Sequence, residues 1–397
     1  MTSPLLDRAG AVAADPLGSD AGVVWHYGDP FGEQRALAVG QGIVDQSHLG
    51  VVQVSGPDRL TWLNDLTSQN LLGLEPGDST ELLVFSPQGH IEHAAAVLDD
   101  GEATWLLTEL APRLAAWLES MRFTRCVDVV DVTAQWAVLG TTTPIEAVLA
   151  DGVGLCWTDP WPQVLDRGTR YGPPAESHPG RDWNWHLLLA PRPALVETVA
   201  AFEAAGVRLV GTWALTALRI AAWRPRFVSE VDHRTLGHEL DWLRTAVHLK
   251  KGCYRGQETV ARVHNLGHPP RRLTFLHLDG STADLPPAGA RVTAEGCEVG
   301  RVTSAAQHYE LGPVALAVIK RQVPVDMPLQ VEWNTVAEAR PALQSLTTGQ
   351  PSAIVAATQT EIVPVAGVSV DRPAAHSPLM PGLRMPGAKS GGIQVFS

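Results

Sequence analysis

The chain has little lysine, little cysteine and no long apolar run, and each shortage excludes a class of protein. Four of its 30 basic residues are lysines, and the rest are arginines. The four cysteines stand far apart, without the C-x-x-C or Cys/His spacing of a zinc or cluster site. The stretch from Ala204 to Trp223 contains two arginines, so it falls short of the about 20 apolar residues that cross a bilayer. The sequence therefore predicts neither a metal site nor a membrane span.

Charged residues are also few, and acids outnumber bases. The 397 residues are 18% charged and 45% hydrophobic, with a formal net charge of −12. This composition suits a globular protein, and the length favours two or three packed units. The acidic balance argues against a general nucleic-acid binder, which needs clustered cations. Because the N-terminus lacks a basic start followed by an apolar run, we expect no secretory signal and a cytoplasmic location.

Short elements follow one another in the first third of the chain. Gly50–Val54 alternates like a strand and ends in a Ser-Gly-Pro-Asp turn, after which Arg59–Leu66 places leucines at helical spacing. Glu81–Phe85 and Ile91–Leu98 read as further strands, and a helix is predicted from Ala111 to Met121. Strands interleaved with helices in this way indicate an α+β unit with an antiparallel sheet.

The two ends differ from the middle. Residues 1–22 are small, acidic and rich in Ala, Gly and Pro, and a flexible arm is predicted. Residues 269–334 carry alternating Val/Leu runs separated by Gly and Pro, which is typical of a small β-barrel. Beyond Trp333 a single aromatic, Phe396, remains, so residues 335–397 are predicted to be a mostly disordered tail.

The most specific string is KGCYRGQE at residues 251–258. It lies in a basic window from Arg244 to Arg272 that holds seven Lys/Arg against one acid, Glu258. Adjacent positive charge favours a thiolate, so Cys253 is a candidate nucleophile or transient metal ligand. The alternative is a small buried Cys253 in a glycine turn. The window could also contact RNA, but the net negative charge of the whole chain argues against this.

This string resembles the signature of YgfZ-type folate-binding proteins of the glycine cleavage T-protein (aminomethyltransferase) superfamily. Thr-Val-Ala-Arg follows it at 259–262, as in that family. Upstream, residues 218–220 and 231–239 resemble the T-protein segment in which a glutamate holds the pterin. Residues 28–30, 45–50, 55–58 and 87–89 resemble T-protein landmarks in the same order. The resemblance covers roughly residues 25 to 333.

The resemblance implies two ferredoxin-like α+β lobes over residues 23–268 and a C-terminal β-barrel, around a central hole for tetrahydrofolate or a derivative. The resemblance also implies that Glu239 holds the pterin and that Arg262 meets the polar end of the folate. Without the resemblance, Glu239 could equally be a solvated loop acid. Trp213 is a further candidate, since an indole face suits a pterin ring. Cys253 would be the functional thiol within the motif residues Lys251, Gly252, Tyr254, Arg255, Gly256, Gln257 and Glu258.

One departure from the T-protein pattern bears on activity. Where T-proteins place two adjacent acids after the 87–89 turn, this chain has His93 and Ala94. Glu92 comes one residue early, and a one-residue offset in a strand points to the opposite face. A positioned carboxylate contributes about 10²–10⁴-fold, so a standard aminomethyltransferase is not expected. His90 and His93 could instead ligate a metal, although a histidine pair without a third ligand is usually structural.

Three functions remain open. The first is a tetrahydrofolate-binding accessory protein that uses Cys253 to support assembly or repair of iron–sulfur enzymes. Its partners would be folate and iron–sulfur enzymes or cluster-assembly proteins. The second is a folate-dependent aminomethyltransferase or demethylase, in which Glu92 should matter more than Cys253. The third is a folate-binding scaffold without chemistry at its thiol.

Overall fold

A computed structural model describes residues 2–143, 155–334 and 353–373 of the chain. Its α-helices are α1 Pro30–Ala38, α2 Arg59–Leu66, α3 Ala111–Ser120, α4 Leu195–Ala204, α5 Thr212–Ala221, α6 Phe227–Glu230 and α7 Gln257–Asn265. Its strands are β1 Val12–Ala13, β2 Val24–His26, β3 Gly42–Asp45, β4 Gly50–Ser55, β5 Ser79–Phe85, β6 Ile91–Asp99, β7 Ala103–Thr108, β8 Asp128–Asp131, β9 Trp136–Thr141, β10 Cys156–Thr158, β11 His186–Pro191, β12 Arg208–Val210, β13 Arg271–Leu278, β14 Arg291–Ala294, β15 Cys297–His308, β16 Gly312–Lys320, β17 Leu329–Trp333 and β18 Ala353–Glu361. Short 3-10 turns lie at Pro4–Asp7, Ala175–Ser177, Pro179–Asp182, Arg192–Ala194, Gly237–Leu240 and Trp242–Arg244.

The first sheet is antiparallel, in the order β5-β6-β7-β4-β8. Four of its strands, β4 to β7, are largely apolar on both faces, because one face meets α2 and α3 while the other meets the centre of the molecule. The edge strand β8 is mostly exposed. Gly50 lies where a Cβ atom would overlap Ala111, so its lack of a side chain lets α3 pack close to β4. The strand at Gly50, the helix at Arg59–Leu66 and the helix starting at Ala111 confirm the sequence-based predictions.

The second sheet has the order β10-β11-β9-β3-β12, with β12 parallel to β3 and the other pairs antiparallel. Helix α4 and the N-terminal segment cover one of its faces, where Leu5 is fully buried. The predicted flexible arm at residues 1–22 therefore needs correction over its described residues. Two adjacent leucines, Leu5 and Leu6, are a weak signal in the sequence, yet Leu5 holds the segment to the sheet.

The C-terminal unit is a closed six-stranded barrel in the order β13-β16-β15-β14-β17-β18. The fold class of an α+β chain with a C-terminal barrel is thereby confirmed. The predicted boundary at 334 falls one strand short, because β18 pairs with both β13 and β17 and comes from the predicted tail. Its exposed residues alternate with buried ones, and closure satisfies both neighbouring edges. Residues 335–352 and 374–397 of the predicted tail lie outside the described residues.

Within the described part of the chain, no helix is both long enough and apolar enough to span a bilayer.

Candidate functional site

A cavity of about 150 Å³ lies between the two sheets and α5. Its wall is built from β6, β7, β10 and β11 and from the loops that follow β3 and α5. Ligand pockets usually measure about 300–1,000 Å³, so this cavity suits a ring system rather than a whole cofactor with its tail.

Four tryptophans line the cavity, and they come from separate parts of the chain. They are Trp157, Trp183, Trp185 and Trp242. Trp183 and Trp185 stack on each other with ring centroids 5.4 Å apart and planes 23° apart. Gly140 lies where a Cβ atom would overlap the ring of Trp185, so a glycine in β9 makes room for this pair. The result is an aromatic platform that suits a flat ligand.

Arg224 forms the first charged cluster of the wall. Its guanidinium donates to Glu81 at 2.8 and 3.3 Å and to Asp159 at 2.9 Å. The indole N–H groups of Trp242 and Trp183 donate to the same two carboxylates, at 3.1 and 2.8 Å. Burial raises the pKa of Asp159 against the opposing charge of Arg224. The cluster is therefore a rigid, desolvated set of charges whose acids keep lone pairs for further donors.

Arg226 forms the second cluster, two residues along the same loop. Its guanidinium bonds to Glu109 and, at 2.6 Å, to Asp20. Burial opposes ionisation of Asp20, but the charge of Arg226 outweighs it and lowers the pKa of that carboxyl. His48 Nε2 lies 3.2 Å from an Arg226 nitrogen. The N-terminal segment thus supplies a carboxylate to the cavity wall, which the sequence did not predict.

Four polar atoms of the lining are buried without a hydrogen-bond partner: Gln46 Nε2, His48 Nδ1, Thr212 Oγ1 and Arg219 Nε. Buried polar groups in native proteins are nearly always paired. Unpaired atoms facing a cavity are what a polar ligand would complete. The cavity therefore fits a planar group that carries hydrogen-bonding atoms on its edge.

Strand β6 contributes three alanines, Ala94, Ala95 and Ala96, to the lining. Ala94, which stands where T-proteins have an acid, therefore gives the cavity no carboxylate at this position. Glu92 forms an ion pair with Arg255 at 2.7 Å and does not line the cavity. His93 is buried beside Trp117, with ring centroids 6.0 Å apart, and burial lowers its pKa to about 4. Among the described residues, no group of three His, Cys, Asp or Glu side chains could hold a metal ion.

The KGCYRGQE string is a loop that four of its residues fix to neighbouring elements. Lys251 Nζ donates to the carbonyls of Asn64, Thr67 and Gln69 around the end of α2, the last two at 2.6 and 2.9 Å. Burial lowers the pKa of Lys251 to about 8. Tyr254 is buried against Phe85, Arg255 pairs with Glu92, and Gly256 approaches the backbone of Ser86. Most of the motif is therefore an anchor.

Cys253 and its neighbour Gly252 are exposed at the tip of this anchored loop. The prediction of an accessible sulfur agrees with this position, and the alternative of a buried Cys253 does not. Two details differ from expectation. The nearby cations Lys251 and Arg255 are engaged with carbonyls and with Glu92, and Cys253 does not line the central cavity.

The three residues predicted to bind folate lie elsewhere. Glu239 is fully buried, and its oxygens accept from the Arg271 side chain at 2.7 and 3.1 Å, which fixes β13 to the preceding turn. Arg262 is exposed on α7. Trp213 packs against Trp25, with ring centroids 5.6 Å apart. None of the three lines the cavity, and their contact with folate stays a prediction.

The cavity residues were missed because they come from segments without a regular pattern. Arg224 and Arg226 belong to a polar loop, and several of the cavity tryptophans flank an irregular Pro/Gly-rich stretch. One signal was present: four of the thirteen tryptophans fall between residues 157 and 185. All four are buried, and three of them line the cavity.

The fold and the cavity define a class of protein: an α+β chain of two sheets and a barrel, with a cavity between the sheets that tryptophans and charged clusters line. Residues 27–149 match the GCVT N-terminal domain family. A putative chloroplastic transferase of Arabidopsis thaliana is 27% identical over 72% of this chain, and the alignment spans 66% of that relative, just under two thirds of its length. The aminomethyltransferase of Streptomyces coelicolor is 29% identical over 78% of this chain and 86% of its own.

Among solved structures, the glycine cleavage system aminomethyltransferase T from Bartonella henselae superposes with a TM-score of 0.68. The match covers 91% of this chain and 96% of that one at 17% identity, which shows a shared fold. The chain is therefore similar to the GCVT N-terminal domain over residues 27–149 and to aminomethyltransferases over about three quarters of its length, and it shares its fold with one of them.

Proposed function

We propose that this chain binds a reduced folate of the tetrahydrofolate type, with the pterin ring in the central cavity. The observation that supports this most directly is the lining, with its stacked Trp183 and Trp185 and its arginine–carboxylate clusters around a ring-sized space. Indole faces suit a heteroaromatic ring. The carboxylates keep lone pairs for ring N–H and amino groups. The resemblance to T-proteins carries the same implication.

The chain then acts as an accessory protein that supports assembly or repair of iron–sulfur enzymes, with Cys253 as its functional thiol. This follows from the motif's resemblance to YgfZ-type proteins. The geometry that supports it is an exposed sulfur on a loop fixed by Lys251, Tyr254 and Arg255. A fixed loop presents its tip in one orientation to a protein partner, at a low entropic cost of binding.

Aminomethyl transfer or demethylation is the competing function, and the names of several relatives favour it. The cavity argues the other way, because β6 offers only alanines where an acid–base group would stand. Turnover of tetrahydrofolate with an aminomethyl donor would decide for the transferase. Its absence, with folate binding intact, would decide for the accessory role.

The binding half of the proposal is tested by anaerobic calorimetry with tetrahydrofolate. Trp185→Leu removes part of the platform and should weaken binding up to about 10-fold. Trp213→Leu is the matched control, since this tryptophan lies outside the cavity, and it should bind as the wild type does. Equal affinities for all three proteins, each verified as folded by circular dichroism, would place the folate elsewhere.

The proposed role of Cys253 is tested in cells in which the gene for this protein has been deleted and a variant gene is supplied in its place. Cys253→Ser should lower the activities of iron–sulfur enzymes while leaving folate affinity unchanged. Cys126→Ser, at another exposed cysteine, is the matched control and should restore full activity. If Cys253→Ser also restores full activity, the thiol has no role and the chain is a folate-binding scaffold.

A further inference from the structure

Two of the unpaired polar atoms in the cavity wall, Gln46 Nε2 and His48 Nδ1, belong to residues that lie two positions apart in the sequence. Both side chains are more than nine-tenths buried, with 7% exposure each. Leaving a buried donor or acceptor unpaired is unfavourable by about 1–3 kcal/mol. A ligand atom of the complementary kind would remove that cost.

The surroundings of His48 fix which kind of atom is complementary. Arg226 lies 3.2 Å from His48 Nε2, and a guanidinium can only donate. The Asp20 carboxylate lies 3.5 Å from the same Nε2, but its oxygen accepts from Arg226. With Nε2 as the acceptor of the Arg226 bond, and with burial lowering the pKa of His48, the neutral ring carries its proton on Nδ1. The unpaired Nδ1–H group is a donor, as is the Gln46 amide nitrogen. This part of the wall consequently offers hydrogens to a ligand.

The aromatic platform connects these donors to the acceptors of the opposite cluster. Gln46 and Trp185 meet at Gly140, where a Cβ atom would overlap both. Trp185 stacks on Trp183, whose indole N–H donates to Asp159 in the Arg224 cluster. A ring lying on this platform has the Gln46 and His48 donors at one end and the carboxylates of Glu81 and Asp159 at the other. The two carboxylates beside His48, Asp20 and Glu109, are held by Arg226.

We propose that Gln46 and His48 bind an acceptor-bearing edge of the ring and so select a 4-oxo pterin over its 4-amino counterpart. In the 4-amino ring a donor replaces the oxygen, so the two wall donors lose the acceptor at C4. The inference rests on the proposed folate function. It adds which residues read the ring and which chemical feature they read.

The test compares tetrahydrofolate with its 4-amino-4-deoxy analogue by anaerobic calorimetry. The wild type should bind the 4-oxo ligand about 10-fold more tightly, as expected for a site built to pair one polar atom. Gln46→Leu and His48→Leu should each narrow that ratio to about 2-fold. His48→Asn, whose amide nitrogen falls close to the position of Nδ1, should keep more of the ratio than His48→Leu does.

Ser47→Ala is the matched control, because Ser47 Oγ is also buried without a partner but does not line the cavity. It should leave both affinities unchanged. If the wild type binds both ligands equally, or if the ratio survives in both leucine variants, the inference is overturned while folate binding stands. If the wild type binds neither ligand, the proposed function fails, and the inference fails with it.

Discussion

Replacing Arg224 by methionine probes the charged core of the cavity. Arg224 is 9% exposed, and its partners Glu81 and Asp159 are each 4% exposed. Removing the guanidinium leaves two buried carboxylates whose remaining side-chain donors are the indoles of Trp242 and Trp183. Breaking a buried ion pair by removing one partner typically costs about 3–5 kcal/mol. We expect Arg224→Met to lose that much free energy of unfolding at pH 7.

The loss should depend on pH in a defined direction. Burial already raises the pKa of Asp159 in the presence of Arg224, and without that charge it must rise further. The folded state then binds a proton that the unfolded chain, with an Asp pKa of about 3.9, releases. By linkage, stability falls as the pH rises above about 4, so the deficit of the variant should be smaller at pH 5 than at pH 8.

Urea unfolding followed by tryptophan fluorescence at pH 5, 6.5 and 8 measures both effects. Arg181→Met, which removes an exposed pair with Asp182, is the matched control and should change stability by only about 0–1 kcal/mol. Adding Asp159→Asn to Arg224→Met should recover part of the loss. A deficit below about 1 kcal/mol, or one that is equal at every pH, would refute the reasoning.

The remaining predictions concern the motif loop, the N-terminal segment and Glu239. Gly256→Ala should destabilise the chain by about 1–3 kcal/mol in urea unfolding, because φ is +81° and a Cβ would lie 2.5 Å from a backbone oxygen. Gly252→Ala is the control and should be nearly neutral, because there is open space around Gly252. Equal effects of the two changes would contradict the close packing at Gly256. Leu5→Ala should lower the free energy of unfolding by about 2–5 kcal/mol, because Leu5 is fully buried. Leu17→Ala should change it very little, because Leu17 is 94% exposed. If both changes are neutral, the N-terminal segment is a flexible arm after all. Glu239→Ala should lower the unfolding free energy by about 3–5 kcal/mol, because it removes one partner of a buried ion pair. The folate affinity of the folded protein should stay unchanged. A loss of affinity would instead show that Glu239 contacts the folate.

The motif shows how far a local string can be interpreted. Its glycines, its cysteine and its cations were all visible, and the exposed position of Cys253 agrees with the prediction. The string did not reveal that Lys251 would donate to carbonyls near α2 or that Arg255 would pair with Glu92. Those partners lie more than 160 residues away in the sequence, so only the folded chain brings them together.

Glu239 makes the same point for a single side chain. Its position in the chain fits a residue that holds a pterin, and its burial fits as well. What decides its contacts is Arg271, which the first strand of the barrel places 2.7 Å away. A carboxylate in a sequence offers lone pairs to any donor, and the donor that takes them is chosen by packing.

The sequence by itself determined several of the strands and helices, among them Gly50–Ser55, Arg59–Leu66 and the helix starting at Ala111, because periodicity, turns and glycine act over a few residues. It also determined the fold class, since alternating elements followed by barrel-like strands leave few architectures. Only the tertiary structure decided where the cavity lies, that Arg224 and Arg226 supply its charges, and that β18 closes the barrel. Each of these depends on side chains from distant segments meeting in a desolvated space, where an unpaired charge or donor is costly and the partner that arrives fixes the chemistry.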